Sequence, residues 1–132
     1  MPPVNRTRTI RTAATVLAVA WMGVIFGLSS LHGSSVPGRY STLGHFILYA
    51  VLGTLYFTAL PAGGRRWGIV AAAVALASLY GISDEIHQSF VPGRMPDPVD
   101  WLVDTAGALT AVMLADRLRR ISAGRDARSG PA

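Results

Sequence analysis

Cysteine and lysine are both missing from this 132-residue chain. Without cysteine there are no disulfides, no thiolate metal ligands and no cysteine nucleophile. Without lysine there is no Schiff-base chemistry and no P-loop. Charge is scarce too. Only 14% of the residues are charged, well below the roughly 25% of soluble domains. With 51% hydrophobic residues and a mean hydropathy of +0.40, the composition is that of a membrane protein. The net charge of +5 does not point to nucleic acid, because the arginines gather at the chain ends and in one short loop. That placement suits anionic membrane lipid as the neighbour.

Four apolar segments stand out, at residues 13–31, 43–60, 67–90 and 99–118. Each is near the ~20 residues needed to cross a hydrocarbon core. The breaks between them, HGSSVPGR, PAGGRR and VPGRMPDP, are rich in turn residues. The expected fold is therefore all-α, a bundle of four transmembrane helices occupying residues 13–118. It is flanked by a basic segment at 1–12 and a disordered tail at 119–132. The first apolar run is too long for a signal peptide and no A-x-A cleavage pattern follows it, so it is expected to stay as a membrane helix.

Arginine placement sets the expected direction. Arg6, Arg8, Arg11, Arg65, Arg66, Arg117, Arg119, Arg120, Arg125 and Arg128 fall on one side of such a bundle, and only Arg39 and Arg94 on the other. The positive-inside rule then predicts that both termini are cytoplasmic and that the stretch SDEIHQSFVPGR faces outward.

That stretch holds ionisable groups at membrane depth, where they are expensive and tend to be functional. The apolar part of the third segment, residues 67–82, covers only ~24 Å of a ~30 Å core. The helix must continue through Asp84, Glu85 and His87 to finish crossing. His45 opens the second segment, and Asp100 and Asp104 fall in the first turns of the fourth, so all of these groups share one layer. On helical projection Tyr80, Asp84, His87 and Gln88 share a face, with Glu85 to one side. Asp97, Asp100 and Asp104 share a stripe with Gly107, Ala108 and Ala111, small residues that admit a close neighbour helix. His45, Tyr49 and Tyr56 line up on the second segment. Turned inward, the three stripes make a polar pocket open to the outer surface.

Some of these groups have structural explanations. Asp97 before Pro98 reads as a helix N-cap, and Asp100 as its capping-box partner. Asp104 has neither excuse and needs a partner, either Arg94 or a histidine. His45 and His87 with the carboxylates form a candidate zinc set, although no H-E-x-x-H spacing is present. Arg94 could clamp a phosphate or carboxylate. Trp21 and Trp101 read as packing or lipid contacts, and no serine sits in a nucleophile elbow.

The motifs FGLSS, GHFILYAVLG, SDEIHQSFVPGR and DPVDWLVDTAGALTA resemble the VanZ-like family of small integral membrane proteins, over about residues 13–118. The resemblance implies a role at the bacterial cell envelope, and the family's namesake lowers susceptibility to the glycopeptide teicoplanin. It does not settle the chemistry.

Three functions follow from these residues. The first is binding or shielding of an envelope lipid, a lipid-linked wall precursor or a lipophilic glycopeptide. Its pocket would be built from His45, Tyr49, Asp84, Glu85, His87, Gln88, Arg94, Asp100 and Asp104, with no cofactor. The second is a membrane hydrolase or transferase using His45, Asp84, Glu85, His87 and Asp104, with a divalent metal such as zinc as an option. The third is a structural or assembly subunit; an oligomer is compatible with all three.

Overall fold

The apolar segments contain no proline beyond a first helical position, so nothing interrupts the i→i−4 ladder. The computed structural model describes residues 5–31 and 38–126. Four helices account for most of them: α1 (Arg6–Ser29), α2 (Gly38–Ala59), α3 (Arg66–Gln88) and α4 (Pro98–Asp126). All four are long and apolar enough to cross a membrane. At 23 residues α3 is about 35 Å long, so the helical run does extend through Asp84, Glu85 and His87.

Three boundaries differ from expectation, and one of them is α2, which begins at Gly38 rather than at residue 43. α1 starts at Arg6 rather than residue 13, because the RTRTIRT stretch is free of helix breakers. α4 continues through Arg119 to Asp126, so the first part of the tail expected to be disordered is helical. Arg119, Arg120 and Ala123 in that part are good helix formers, and its one Gly, at 124, comes only in the last turn. The rest of the tail with Arg128, the first four residues, residues 32–37 and the side chain of Arg39 lie outside the described residues.

The helices run alternately up and down. α4 packs against both α2 and α3, while α1 rests chiefly on α2 and stands away from α4. Small residues fill the contacts: Ala14, Ala18, Ala73, Ala77 and Ala108 are all buried. A Cβ on Gly107 would run into the Phe46 carbonyl, and one on Gly53 would stand 3.0 Å from Ala108. Bulky apolar side chains such as Leu17, Val19, Ile47, Leu79, Leu102 and Leu114 point outward. Small residues at the helix contacts, with many bulky ones turned outward, suit a bundle solvated by lipid, where association depends on close backbone approach. Hydroxyls conform to the same rule. Thr15, Thr54, Thr58, Thr105 and Thr110 each donate to the carbonyl four residues earlier, so none needs water. This is a multi-pass integral membrane protein.

Its two ends differ chemically. At one, Arg11 donates from Nε to the Ala59 carbonyl at 3.0 Å, and Arg66 pairs with Asp116 at 2.6 Å. At the other lie His45, Asp84, Glu85, Asp100 and Asp104.

Candidate functional site

α2 begins its crossing with His45, and α4 brings Asp104 against it on the stripe that also carries Gly107 and Ala108. His45 Nδ1 donates to Asp104 Oδ1 at 2.9 Å, and both side chains are nearly or wholly buried. The other ring nitrogen, Nε2, stands 3.9 Å from Asp100 Oδ2. The partner that Asp104 needs is thus a histidine, not Arg94. α3 contributes the third side. Gly81 lies beside Asp104, and a Cβ there would come within 3.2 Å of Asp104 Oδ2. One turn further on, Glu85 reaches into the same space. One ligand atom each from His45, Glu85 and Asp104 lies within 4.8 Å of the other two.

Polar satisfaction around this cluster is incomplete. Among the described residues Tyr49 Oη, Glu85 Oε1 and Asp104 Oδ2 are buried with no hydrogen-bond partner. Tyr49 sits one turn after His45, is 0% exposed, and lies near the carboxylates of Asp84, Asp104 and Glu85. Buried polar atoms are ordinarily paired, and here three orphans from three helices stand in one layer.

Beside the cluster, α3 and α4 leave an apolar groove of about 340 Å³, lined by Ile82, Ile86, Pro96, Pro98 and Trp101 with Glu85 at its edge. Glu85 therefore touches both the groove and the buried cluster. The arrangement offers acceptor oxygens and an imidazole at the side of a greasy slot.

The family described as VanZ/LLP1 matches residues 8–119, reaching into all four helices. The chain belongs to that family. No curated protein and no solved structure matches it.

Within this VanZ/LLP1 protein, the remaining polar residues divide between the site and its frame. Asp84 is buried and accepts from Gln88 Nε2 at 3.0 Å, so Gln88 holds a neighbouring carboxylate in place. His87 does not join the pocket. It turns to α1, stacking on Phe26 with centroids 4.2 Å apart and sharing a 2.9 Å hydrogen bond with Ser30 Oγ. Around α3 it lies about 120° from Gly81, whereas Glu85 lies only about 40° away. The buried stripe Ala73, Ala77, Gly81 sets which face turns inward, and it was the signal that would have ranked Glu85 above His87.

Arg94 is likewise part of the frame. Val91, Pro92, Gly93 and Arg94 form a tight turn, with Arg94 N–H on the Val91 carbonyl at 3.1 Å and Gly93 at φ 75°. Proline second and glycine third suit a type II turn. The turn carries the guanidinium to the end of α1, where it donates to the carbonyls of Leu31 and Leu28 at 3.2 and 3.5 Å. Those bonds fix the guanidinium on the end of α1, and they place Arg94 away from Asp104.

Asp97 caps α4, its Oδ1 accepting the Val99 N–H at 2.8 Å. The reciprocal half of the expected capping box is replaced. Glu85 Oε2, not Asp100, accepts the Asp97 N–H at 2.8 Å, which ties the end of α3 to the start of α4. Of the tyrosines beside Tyr49, Tyr56 donates to Met22 sulfur and Tyr80 to the Met22 carbonyl, so both serve packing against α1. Trp21 and Trp101 donate to the carbonyls of Leu48 and Ser78.

Proposed function

We propose that this protein works at the cell envelope with its acidic end outward, both termini cytoplasmic, holding the polar part of a lipid-like envelope molecule. His45, Tyr49, Glu85 and Asp104 engage that polar part, and the groove between α3 and α4 takes the greasy part. The observation that supports this reading best is the set of three unpaired buried atoms, Tyr49 Oη, Glu85 Oε1 and Asp104 Oδ2, next to an apolar slot. Each unpaired atom carries a desolvation penalty on the order of 1–3 kcal/mol, which an incoming ligand would remove. An envelope lipid, a lipid-linked wall precursor and a lipophilic glycopeptide all have this two-part character.

The test uses a glycopeptide-susceptible host. Expression of the protein should raise the teicoplanin concentration needed to stop growth. Asp104→Asn at equal membrane level should abolish that protection, and His87→Asn, which alters only the α1 contact, should keep most of it. Protection retained by Asp104→Asn would refute the reading.

A membrane hydrolase or transferase is the second reading. It rests on the 2.9 Å His45–Asp104 contact, the carboxylate–imidazole pairing that orients a general base. Conversion of a bound lipid by wild-type protein and not by His45→Gln would establish it.

A further inference from the structure

We infer that His45, Glu85 and Asp104 form a divalent-cation site, with zinc as the best-matched ion, at the floor of the pocket. The inference rests on reading that layer as a binding pocket and names what sits at its base. Three observations lead to it.

The first is donor chemistry. One imidazole and two carboxylates are the His/Asp/Glu donors that zinc accepts, and three protein ligands with one position open is the pattern of sites that act on a further ligand. The second is distance. Zinc holds nitrogen and carboxylate oxygen at roughly 2.0–2.2 Å, so the ligand atoms of a tetrahedral site stand about 3.4 Å apart. The atoms here lie within 4.8 Å of one another, so side-chain movements of about an ångström would close the set.

The third observation is independent of the cluster's composition. Asp104 is 0% exposed and Glu85 9%, yet Asp104 Oδ2 and Glu85 Oε1 have no partner among the described residues. Asp84 and Asp100 bring further acidic groups to the same layer, while Arg94 is engaged with α1 carbonyls and His87 with Ser30. Buried carboxylates that stay ionised are paired or coordinate a metal, and a divalent cation would pair both of these, since among the arginines whose side chains are described Arg94 is engaged at α1.

The cation would also decide what the pocket accepts. Without it, the carboxylates repel phosphate and carboxylate groups. With it, the open position takes an oxygen of a phosphate, carboxylate or carbonyl, because the ion is then the dominant local charge. Tyr49 Oη, otherwise unpaired, stands ready to donate to such an oxygen. Asp100, 3.9 Å from His45 Nε2, is placed to orient the imidazole rather than to bind the ion.

The test takes the full chain, purified in detergent, stripped with chelator, loaded with zinc and freed of excess by gel filtration. Mass spectrometry of the metal should find a single zinc per chain, and cobalt in its place should give the intense visible absorption of a tetrahedral site. Glu85→Gln and Asp104→Asn, which keep side-chain shape, should lose the zinc. Asp100→Asn should weaken affinity by roughly 10–100-fold, as supporting groups of metal sites do. Asp116→Asn, at the arginine end, should keep full occupancy. The cobalt spectrum is read on the wild-type chain and so does not depend on any variant folding. Absence of retained zinc and of a cobalt spectrum, or equal retention in Asp104→Asn, would overturn the inference. The pocket reading is judged separately: teicoplanin protection that persists in a wild-type chain shown to hold no metal would leave the pocket standing and remove only the cation.

Discussion

His45 and Asp104 form a contact whose loss should be one-sided. His45→Ala leaves a fully buried aspartate without its partner, and an unpaired aspartate at membrane depth costs roughly 2.5–3.5 kcal/mol. His45→Leu combined with Asp104→Leu removes both polar groups, and apolar replacement of a buried pair is often neutral. Thermal unfolding in detergent should therefore rank the double variant close to wild type and His45→Ala well below it, with function lost in both. If the double variant were the less stable of the two, the pair would be structural glue instead of a site. Gly107 offers a second contrast. Gly107→Ala sets a Cβ into the Phe46 carbonyl, whereas Gly44→Ala meets nothing within 4 Å. The first should lower stability by roughly 1–3 kcal/mol, and the second should leave the melting temperature close to wild type. Sequence reasoning could pick His45, Tyr49, Asp84 and Asp104 as inward groups because helical periodicity and depth both point there. It did not rank Glu85 against His87, although the small-residue stripe of α3 carried that signal. Polarity and depth make the two look alike, and only the inward stripe Ala73, Ala77 and Gly81 separates them.

Helices α3 and α4 are joined at both ends by polar contacts of different kinds. At the acidic end Glu85 accepts the Asp97 N–H. At the other end Asp116 accepts from Arg66 Nε at 2.9 Å and lies 3.7 Å from Arg120. Asp116 went unremarked in the sequence because a lone acid among arginines looks like solvated surface. Its spacing of four from Arg120 was the available clue. Arg66 is one-third open to solvent, so this bridge contributes modestly. Asp116→Asn should lower unfolding stability by no more than about 1 kcal/mol and leave zinc uptake and teicoplanin protection unchanged. A large loss of either activity would mean that the two ends are coupled through α3 or α4. The existence and order of the four helices were legible from hydropathy and punctuation. Their ends were less so: α4 overruns residue 118 because apolar length says nothing about how far good helix formers extend into the aqueous phase.

Four crossings return the chain to the side on which α1 begins, so the direction of the bundle and the exposure of its acidic end are a single question. The arginine distribution predicts that Arg11, Arg65, Arg66, Arg119 and Arg120 face the cytoplasm, which turns His45, Glu85 and Asp104 towards the outside. Outward placement is also what the proposed function requires, since an envelope ligand would arrive from that face. The chain has no native cysteine, so an introduced thiol reports only its own position. Glu85 borders the groove and the buried cluster together, which makes Glu85→Cys the most direct probe of an outward pocket; Gly64→Cys, in the turn between α2 and α3, is its counterpart at the arginine end. In intact cells a membrane-impermeant thiol reagent should label Glu85→Cys and should reach Gly64→Cys only after the membrane is permeabilised. Labelling of Gly64→Cys from outside, with Glu85→Cys modified only in opened cells, would contradict the proposed orientation and the function built on it.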